Sequence, residues 1–310
     1  MQISILLAQQ IAQLFLILIM GYAVVKAGLL KASDSRVLSV VMVYLVTPCV
    51  IINAFQIDDT PEIRKGLLYS MAVAAAIHVV LLVLSALLSR PLKLDAVEQV
   101  NVIYSNAAAL VIPLVKALMG DAYVIYSCAF IIVQLVLLWT HASSLLQGSS
   151  ALDWKKVLTN INMIAIAAGA LLYWFRVVLP APLQNTMSTV GNMMGPMGML
   201  LAGMAIAEKP LREVFCTRRN YLPTVLRLVV CPLVVLVLLW VCHAPSWVAD
   251  GKNILMTVYL AAITPACATV TSMAQLYDRD AAHSSALYVL TTLLSIVSMP
   301  VMIGLFDLLL

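Results

Sequence analysis

The sequence predicts an all-helical polytopic membrane protein with ten transmembrane helices, arranged as two inverted repeats of five. Three observations support this prediction: the composition, ten apolar segments of membrane-spanning length, and marker residues that recur at similar spacing in both halves. Of the 310 residues, 63% are hydrophobic and 10% are charged, whereas a soluble domain carries about 25% charged residues. The two repeats are predicted at residues 1–150 and 151–310.

Composition also argues against several classes of protein. The net charge of +4 comes from lysines and arginines between apolar segments, and no basic run with interleaved aromatics predicts nucleic-acid binding. The six cysteines form no CxxC pair and most lie in apolar segments, which favours buried thiols over disulfides or a metal site. The first apolar run continues to Val25 without a cleavage site, so a retained helix is predicted there. No cofactor is expected.

Ten apolar segments approach the length of about 20 residues that crosses a bilayer as a helix. They are residues 3–25, 37–56, 67–89, 97–118, 122–147, 157–179, 185–207, 221–242, 253–275 and 282–306. Cytoplasmic connections of membrane proteins are rich in lysine and arginine. With the N-terminus outside, twelve of these residues fall on the cytoplasmic side and five on the outer side, so both termini are predicted outside.

The two halves carry matching residues in the same order. The pairs are 148 positions apart in the first two cases and 152 apart in the last two: Gly21 and Gly169, Pro48 and Pro196, Asn101 and Asn253, and Pro113 and Pro265. A repeat of five helices crosses the membrane an odd number of times, so its second copy must enter from the opposite side. The spacing therefore predicts an inverted repeat.

Two of the predicted helices contain a proline twelve residues after an asparagine, in the stretches 101–113 and 253–265. Proline removes a backbone donor from a helix, and in lipid the freed carbonyl must find a partner inside the protein. Broken helix ends offer N–H groups that suit a carboxylate and carbonyls that suit a cation. Because interrupted helices in matching halves are typical of transporter binding sites, helices four and nine are predicted to cross at the substrate site.

Four parts of the chain resemble the auxin efflux carrier family: LFLILIMGYAVVKAGLL followed by LSVVMVYLVTPCVIINAF, then NAAALVIPLVKALMG, VQLVLLWT, and AAITPACATVTSMAQLYDRDAAHSSALYVLTTLLSIVSMP. That family includes plant auxin exporters and bacterial permeases for malate- or malonate-like acids, and it is distantly similar to bile acid:sodium symporters. The resemblance implies a scaffold of helices 1, 2, 6 and 7, often a dimer interface, and an elevator-like transport domain of helices 3–5 and 8–10. It implies a bacterial inner-membrane protein that forms a homodimer.

Candidate binding residues cluster around the two prolines. The asparagine amides suit a carboxylate or join helices to one another, and the threonine hydroxyls line the second crossing or bond their own helix. Lys116 offers positive charge to a substrate or reaches the outer headgroups, and Gln134 matches a glutamine of the family. The predicted substrate-binding residues are Asn101, Asn106, Pro113, Lys116, Gln134, Asn253, Thr264, Pro265 and Thr269.

The positions of the ionisable residues restrict which ion could be coupled to transport. All fourteen acidic residues fall in connections or near helix ends, which disfavours a proton relay through a central carboxylate. His78, near the middle of the third segment, is a candidate proton-linked group, with a packing histidine as the alternative. Arg227, about two turns into the eighth segment, is expected to reach the cytoplasmic headgroups; pairing with a substrate or a carboxylate is the alternative. H⁺ and Na⁺ both stay open as coupling ions.

Together these features predict a secondary transporter of small organic anions, chiefly carboxylates, that works by efflux or exchange in the lipid bilayer. No GxxxxGK[ST] pattern is present, so ATP is not expected to drive it. No segment supplies a nucleophile, a base and an orienting group at readable spacing, so an enzyme is not expected. The alternatives are a sodium-coupled organic-anion symporter and a membrane sensor that keeps the fold without transport.

Overall fold

The computed structural model of the chain describes residues 2–56, 60–148, 158–207, 211–248 and 250–310. Within these ranges, the side chains at 2–11, 14, 62, 108, 109, 113, 116, 117, 121 and 211 are not described. The predicted site side chains of Pro113 and Lys116 therefore lie outside the described residues. Over the described ranges the chain is helical, and its β-type pairing consists of an isolated antiparallel bridge between Ser105 and Ala266.

We number the described helices α1 to α13. They are α1 Gln2–Lys26, α2 Ala32–Ala54, α3 Pro61–Ser89, α4 Ala96–Ile103, α5 Ile112–Met119, α6 Ala122–Gln147, α7 Ile161–Trp174, α8 Ala181–Ile206, α9 Leu211–Cys216, α10 Arg218–Val241, α11 Gly251–Ile263, α12 Ala268–Leu276 and α13 Ala281–Leu309. Among the described residues, α2, α3, α6, α8, α10 and α13 are long and apolar enough to cross a membrane. Each of the ten predicted segments overlaps one helix or, at 97–118 and 253–275, two.

The two predicted interruptions are present, but their register differs from the prediction. The first break spans 104–106, between α4 and a π-turn at Ala107–Val111 that leads into α5. Pro113 thus lies inside α5 and not at the break, whereas Pro265 lies in the second break, between α11 and α12. The predicted equivalence of Pro113 and Pro265 is therefore wrong, because a proline marks a weakened helix but does not fix where the chain unwinds.

Three π-turns each end two residues before a proline. The turns are Met42–Val46, Ala107–Val111 and Leu226–Val230, and the prolines are Pro48, Pro113 and Pro232. A proline in a helix lacks the N–H that would bond one turn back, and a wider turn is one way for the chain to continue. In α2, the Thr47 hydroxyl donates to the Met42 carbonyl at 2.8 Å and satisfies an acceptor in that turn.

The helices pack in two sets that also contact each other. In the first set, α1 lies along α8, and α2 packs against α7 and the first part of α8. In the second set, α6 packs against α3, α5 and α11, while α13 packs against α10 and α12. The two sets meet where α8 contacts α12 and α13 and where α2 contacts α12. This grouping brings both broken helices into the second set, against the first.

Glycines allow α1 and α8 to approach closely. A Cβ atom at Gly21 would overlap the carbonyl of Leu200, and a Cβ atom at Gly203 would overlap the carbonyl of Leu18. Small residues at helix interfaces permit this backbone contact in membranes, where packing rather than the hydrophobic effect drives association. The two glycines therefore set the distance between these helices.

We predict that Gly203→Ala destabilises the protein by about 1–3 kcal/mol, because the added methyl group must push two backbones apart. Gly304→Ala in α13 is the matched control, since a Cβ atom there meets nothing within 4 Å. Unfolding of both variants in detergent measures the difference. Equal unfolding midpoints for the two variants would contradict the close packing of α1 on α8.

Candidate functional site

The two unwound segments cross each other and pair through their backbones. The Asn106 N–H donates to the Pro265 carbonyl at 2.8 Å, and the Cys267 N–H donates to the Tyr104 carbonyl at 3.1 Å. These two bonds flank the bridge between Ser105 and Ala266. Because α4 and α11 end here while α12 and the π-turn before α5 begin here, four helix ends converge on one buried point.

The side-chain amide of Gln134 in α6 hydrogen-bonds to Ser105, in the first unwound segment, and so clamps the backbone there. Its Oε1 accepts from the Ser105 N–H at 3.0 Å and from the Ser105 hydroxyl at 2.7 Å, and its Nε2 donates to the Ser105 carbonyl at 2.8 Å. Both ends of the amide are therefore used by the protein itself. The role of Gln134 in substrate binding stays a prediction, and its observed contacts are those of a backbone clamp.

Arg227 holds the ends of both interrupted helices. Its guanidinium donates to the Val102 and Ile103 carbonyls at the end of α4, at 3.1 and 3.2 Å. It also donates to the Ala262 carbonyl and to the Thr264 carbonyl at the end of α11, the latter at 3.0 Å from Nε. The last carbonyls of a helix lack partners within it and carry its negative dipole end, so a cation is suited to this position.

The expectation that Arg227 reaches the cytoplasmic headgroups is wrong. The alternative of a carboxylate partner within the protein is also wrong for the described residues. The side chain is 1% exposed, and its hydrogen bonds to the described residues go to backbone carbonyls. The π-turn that precedes Pro232 contains Arg227. An arginine inside the apolar run LRLVVCP was the available signal, but the run alone does not reveal which carbonyls the guanidinium meets.

Each of the two asparagines near the first break leaves one amide atom without a partner. The Asn101 Nδ2 donates to the Val97 carbonyl at 2.8 Å and to Ser284 Oγ at 3.2 Å, while its Oδ1 is buried without a bond. A carbonyl only accepts, so the Val97 contact fixes which way this amide points. Asn106, 3% exposed, lies in the break itself, and its Nδ2 donor is buried and makes no hydrogen bond of normal geometry, although the Tyr288 hydroxyl of α13 is its polar neighbour.

The structure separates Asn253 from the other predicted binding residues. Its exposed side chain donates to Asp250 Oδ1 at 2.6 Å and lies 3.4 Å from the Tyr123 hydroxyl, in the first turn of α11. Ten residues of helix, about 15 Å, lie between it and Ile263 at the end of α11. Its predicted place at the crossing is therefore wrong, because the spacing to Pro265 was taken as equivalent to that between Asn101 and Pro113.

The predicted residues of the second break are buried at or beside the crossing. The Thr264 hydroxyl donates to the Ala261 carbonyl at 3.1 Å, which is the local alternative for a threonine. Pro265 supplies the carbonyl that Asn106 bonds, and Thr269 is buried in the first turn of α12. The Ala266 N–H donates to Thr291 Oγ1 of α13 at 3.1 Å, a contact that no sequence motif indicated.

His78 lies on α3 against α6. Its Nδ1 is 2.8 Å from the Ala74 carbonyl, its ring centroid is 4.7 Å from that of Phe130, and its Nε2 makes no hydrogen bond of normal geometry, with the Gln134 side chain as a polar neighbour of the ring. The ring is fully buried. These contacts match the packing alternative, and a link to protons stays a prediction.

A cavity of about 570 Å³ lies between α1, α2 and α8 on one side and α5 and α6 on the other. It passes Ile112, at the start of α5, six residues after Asn106. The described residues that line it include no charged side chain; their polar members are Gln13, Asn53, Ser188 and Asn192. The cavity therefore gives a neutral, mostly apolar space beside the start of α5.

One group of described residues has the composition of a metal site: Asp95, Glu98 and His283. Glu98 is already paired, with Arg219 Nε at 2.6 Å and Nη2 at 2.5 Å and with His283 Nε2 at 3.6 Å. Asp95 accepts from the Glu98 N–H at 2.8 Å and caps α4. Ion pairing and capping account for this group, and it lies at the start of α4, away from the crossing.

The family model of membrane transport proteins matches the chain twice, at residues 6–153 and 145–303. The chain belongs to this family. It is the family of auxin efflux carriers and permeases that the sequence resembles. A comparison with curated proteins gave no significant match. With several apolar helices of spanning length, the chain is a multi-pass membrane transporter and not an enzyme.

We predict that Gln134→Leu lowers the free energy of unfolding markedly, because it leaves the Ser105 N–H and carbonyl buried without partners, at about 1–3 kcal/mol each. Gln147→Leu in the same helix is the control: it removes one hydrogen bond of an exposed side chain, to the Ser143 hydroxyl at 2.8 Å, and is expected to cost no more than about 1 kcal/mol. Thermal unfolding in detergent compares them. A Gln134→Leu midpoint no lower than that of the control would show that the clamp is not needed.

Proposed function

We propose that the chain is a secondary transporter of small organic anions, chiefly carboxylates, that works by efflux or exchange through an elevator-type motion. The observation that carries this proposal is the buried guanidinium of Arg227 at the crossing of two broken helices. Its partners are neutral carbonyls, and no described carboxylate neutralises it. A buried charge is costly without a counter-charge, so an anion is the ligand that this point favours.

A hydrogen-bond donor accompanies the charge. The Asn106 Nδ2 is buried in the break and makes no hydrogen bond of normal geometry, with the Tyr288 hydroxyl as its polar neighbour, and a poorly satisfied buried donor favours a better acceptor. A carboxylate oxygen would satisfy it with a charge-assisted bond. We therefore assign Asn106 as the principal contact to the substrate, with Thr269 and Lys116 as further candidates from the sequence.

The same arginine argues against the sodium-coupled alternative. Sodium would need oxygen ligands at the crossing, and the carbonyls at the ends of α4 and α11 already accept from Arg227. A second cation beside the guanidinium would be repelled. Coupling to protons through His78 is kept as a secondary candidate, because its Nε2 is buried without a partner.

The packing supports an elevator in a ten-span, five-plus-five inverted repeat of residues 1–150 and 151–310. In this proposal α1, α2, α7 and α8 form the scaffold, and α3–α6 with α10–α13 form the transport domain. Each half contributes one interrupted helix, and the neutral cavity lies between the two sets of helices. Exposed apolar side chains on α7, such as Leu171 and Trp174, suit lipid or a scaffold homodimer. The positive residues favour both termini outside, and the inner membrane follows from the family resemblance.

Transport tests the proposal directly. Proteoliposomes that contain the chain are expected to exchange labelled mono- and dicarboxylates, and Asn106→Asp is expected to lower transport efficiency by about 10- to 100-fold through loss of a bond to a charged group. Asn185→Asp, an exposed position on α8, is the control for the added charge. Binding without flux by the wild-type chain would favour the sensor alternative, and equal flux by both variants would remove Asn106 from the site.

Sodium dependence separates the leading proposal from the symporter. We expect the flux of any transported carboxylate to be unchanged when an inward sodium gradient is replaced by potassium, because Arg227 already provides the buried positive charge. The measurement is initial uptake at matched membrane potential in the two salts. Uptake that requires sodium would overturn the assignment of Arg227 as the resident cation.

A further inference from the structure

The described part of the chain contains two charged side chains that are fully buried, Glu98 and Arg227. Glu98 has a counter-charge, because Arg219 bonds both of its oxygens. Arg227 bonds neutral carbonyls. The dipole ends of α4 and α11 attract its guanidinium locally, at roughly half a negative charge each. A helix dipole has no net charge, however, so the crossing keeps the full positive charge of the arginine.

This charge is fixed in place. Arginine stays protonated in proteins, and the guanidinium makes five hydrogen bonds to four carbonyls on two different half-helices. It cannot reach the headgroups without leaving those carbonyls unpaired in an apolar interior. Any motion of the crossing through the membrane therefore carries the charge of Arg227 with it.

We infer that Arg227 is the voltage-sensing charge of the empty transporter. This inference rests on the proposed elevator motion and adds which step the membrane potential controls. When the transport domain moves without substrate, it moves one positive charge through part of the field. A bound monocarboxylate would cancel that charge. The return of the empty domain is then the step that responds to voltage.

The expected size of the effect follows from electrostatics. One elementary charge moved through 100 mV corresponds to about a 50-fold change in the equilibrium between the two positions. Motion through part of the field gives a smaller factor in proportion to the distance travelled. An inside-negative potential would favour the position in which Arg227 lies nearer the inside.

The test is charge movement in the full chain, reconstituted in a planar bilayer without any carboxylate. Voltage steps are expected to produce a transient current that saturates at no more than one elementary charge for each transporter. Arg227→Gln is expected to abolish the transient, and Arg227→Lys, which keeps the charge and can bond part of the same carbonyl set, is expected to retain it. Lys26→Gln is the control, because Lys26 is an exposed residue at the end of α1 and lies outside the moving set.

The outcomes are distinguishable. No transient in the wild-type chain, or an equal transient in Arg227→Gln, would overturn the inference. If Arg227→Gln does not fold, the wild-type and Arg227→Lys records still decide, since both must move the same charge. The measurement needs no substrate. A chain that moves this charge but passes no labelled carboxylate would refute the proposed function and leave the moving charge in place.

Discussion

A backbone that unwinds inside a membrane must find a partner for every polar group, since no water is present to accept or donate. The crossing meets this constraint with three side chains from three helices. Gln134 of α6 takes the Ser105 N–H and carbonyl, Thr291 of α13 takes the Ala266 N–H, and Arg227 of α10 takes the freed helix carbonyls. The two segments satisfy each other between Asn106 and Pro265 and between Tyr104 and Cys267. The rest of the transport machinery depends on this set, because the break cannot persist without it.

The prolines show why a sequence locates such a break only approximately. Pro113 and Pro265 have the same local effect, the loss of one backbone donor. At Pro113 a π-turn precedes the proline and the helix continues, whereas at Pro265 the chain unwinds. Tertiary partners decide between these outcomes, and they come from helices distant in sequence. Hydropathy therefore predicted the apolar segments and the prolines predicted which two helices are interrupted, but neither predicted the position of the first break.

Arg227 and Asn253 were placed wrongly for the same physical reason. Spacing along one helix says which turn a residue occupies, but it does not say which helix lies opposite. Asn253 is on the predicted helix but at its exposed beginning, with Asp250 as its partner. An arginine about two turns into a predicted span usually reaches back to the surface; in this fold Arg227 bonds four backbone carbonyls instead. The amide of Asn106 was predicted at the crossing and lies there, because it belongs to the break itself.

The geometry divides recognition of an anion between two residues. The five hydrogen bonds of Arg227 to carbonyls use all the donors of its guanidinium. On the proposed function, Arg227 therefore attracts a carboxylate by its charge and does not hydrogen-bond to it. On the same proposal, the direct hydrogen bond to the carboxylate comes from Asn106, whose Nδ2 makes no hydrogen bond of normal geometry within the protein. The second segment has Ala266 at the bridge, opposite Ser105, and offers no amide there. A carboxylate would therefore bind closer to the first segment, and the pseudo-symmetric crossing would hold its substrate asymmetrically. On the proposed function a neutral cavity beside α5 fits this division, because a single charge at the crossing would attract the anionic group and the rest of the substrate would need no charged partner.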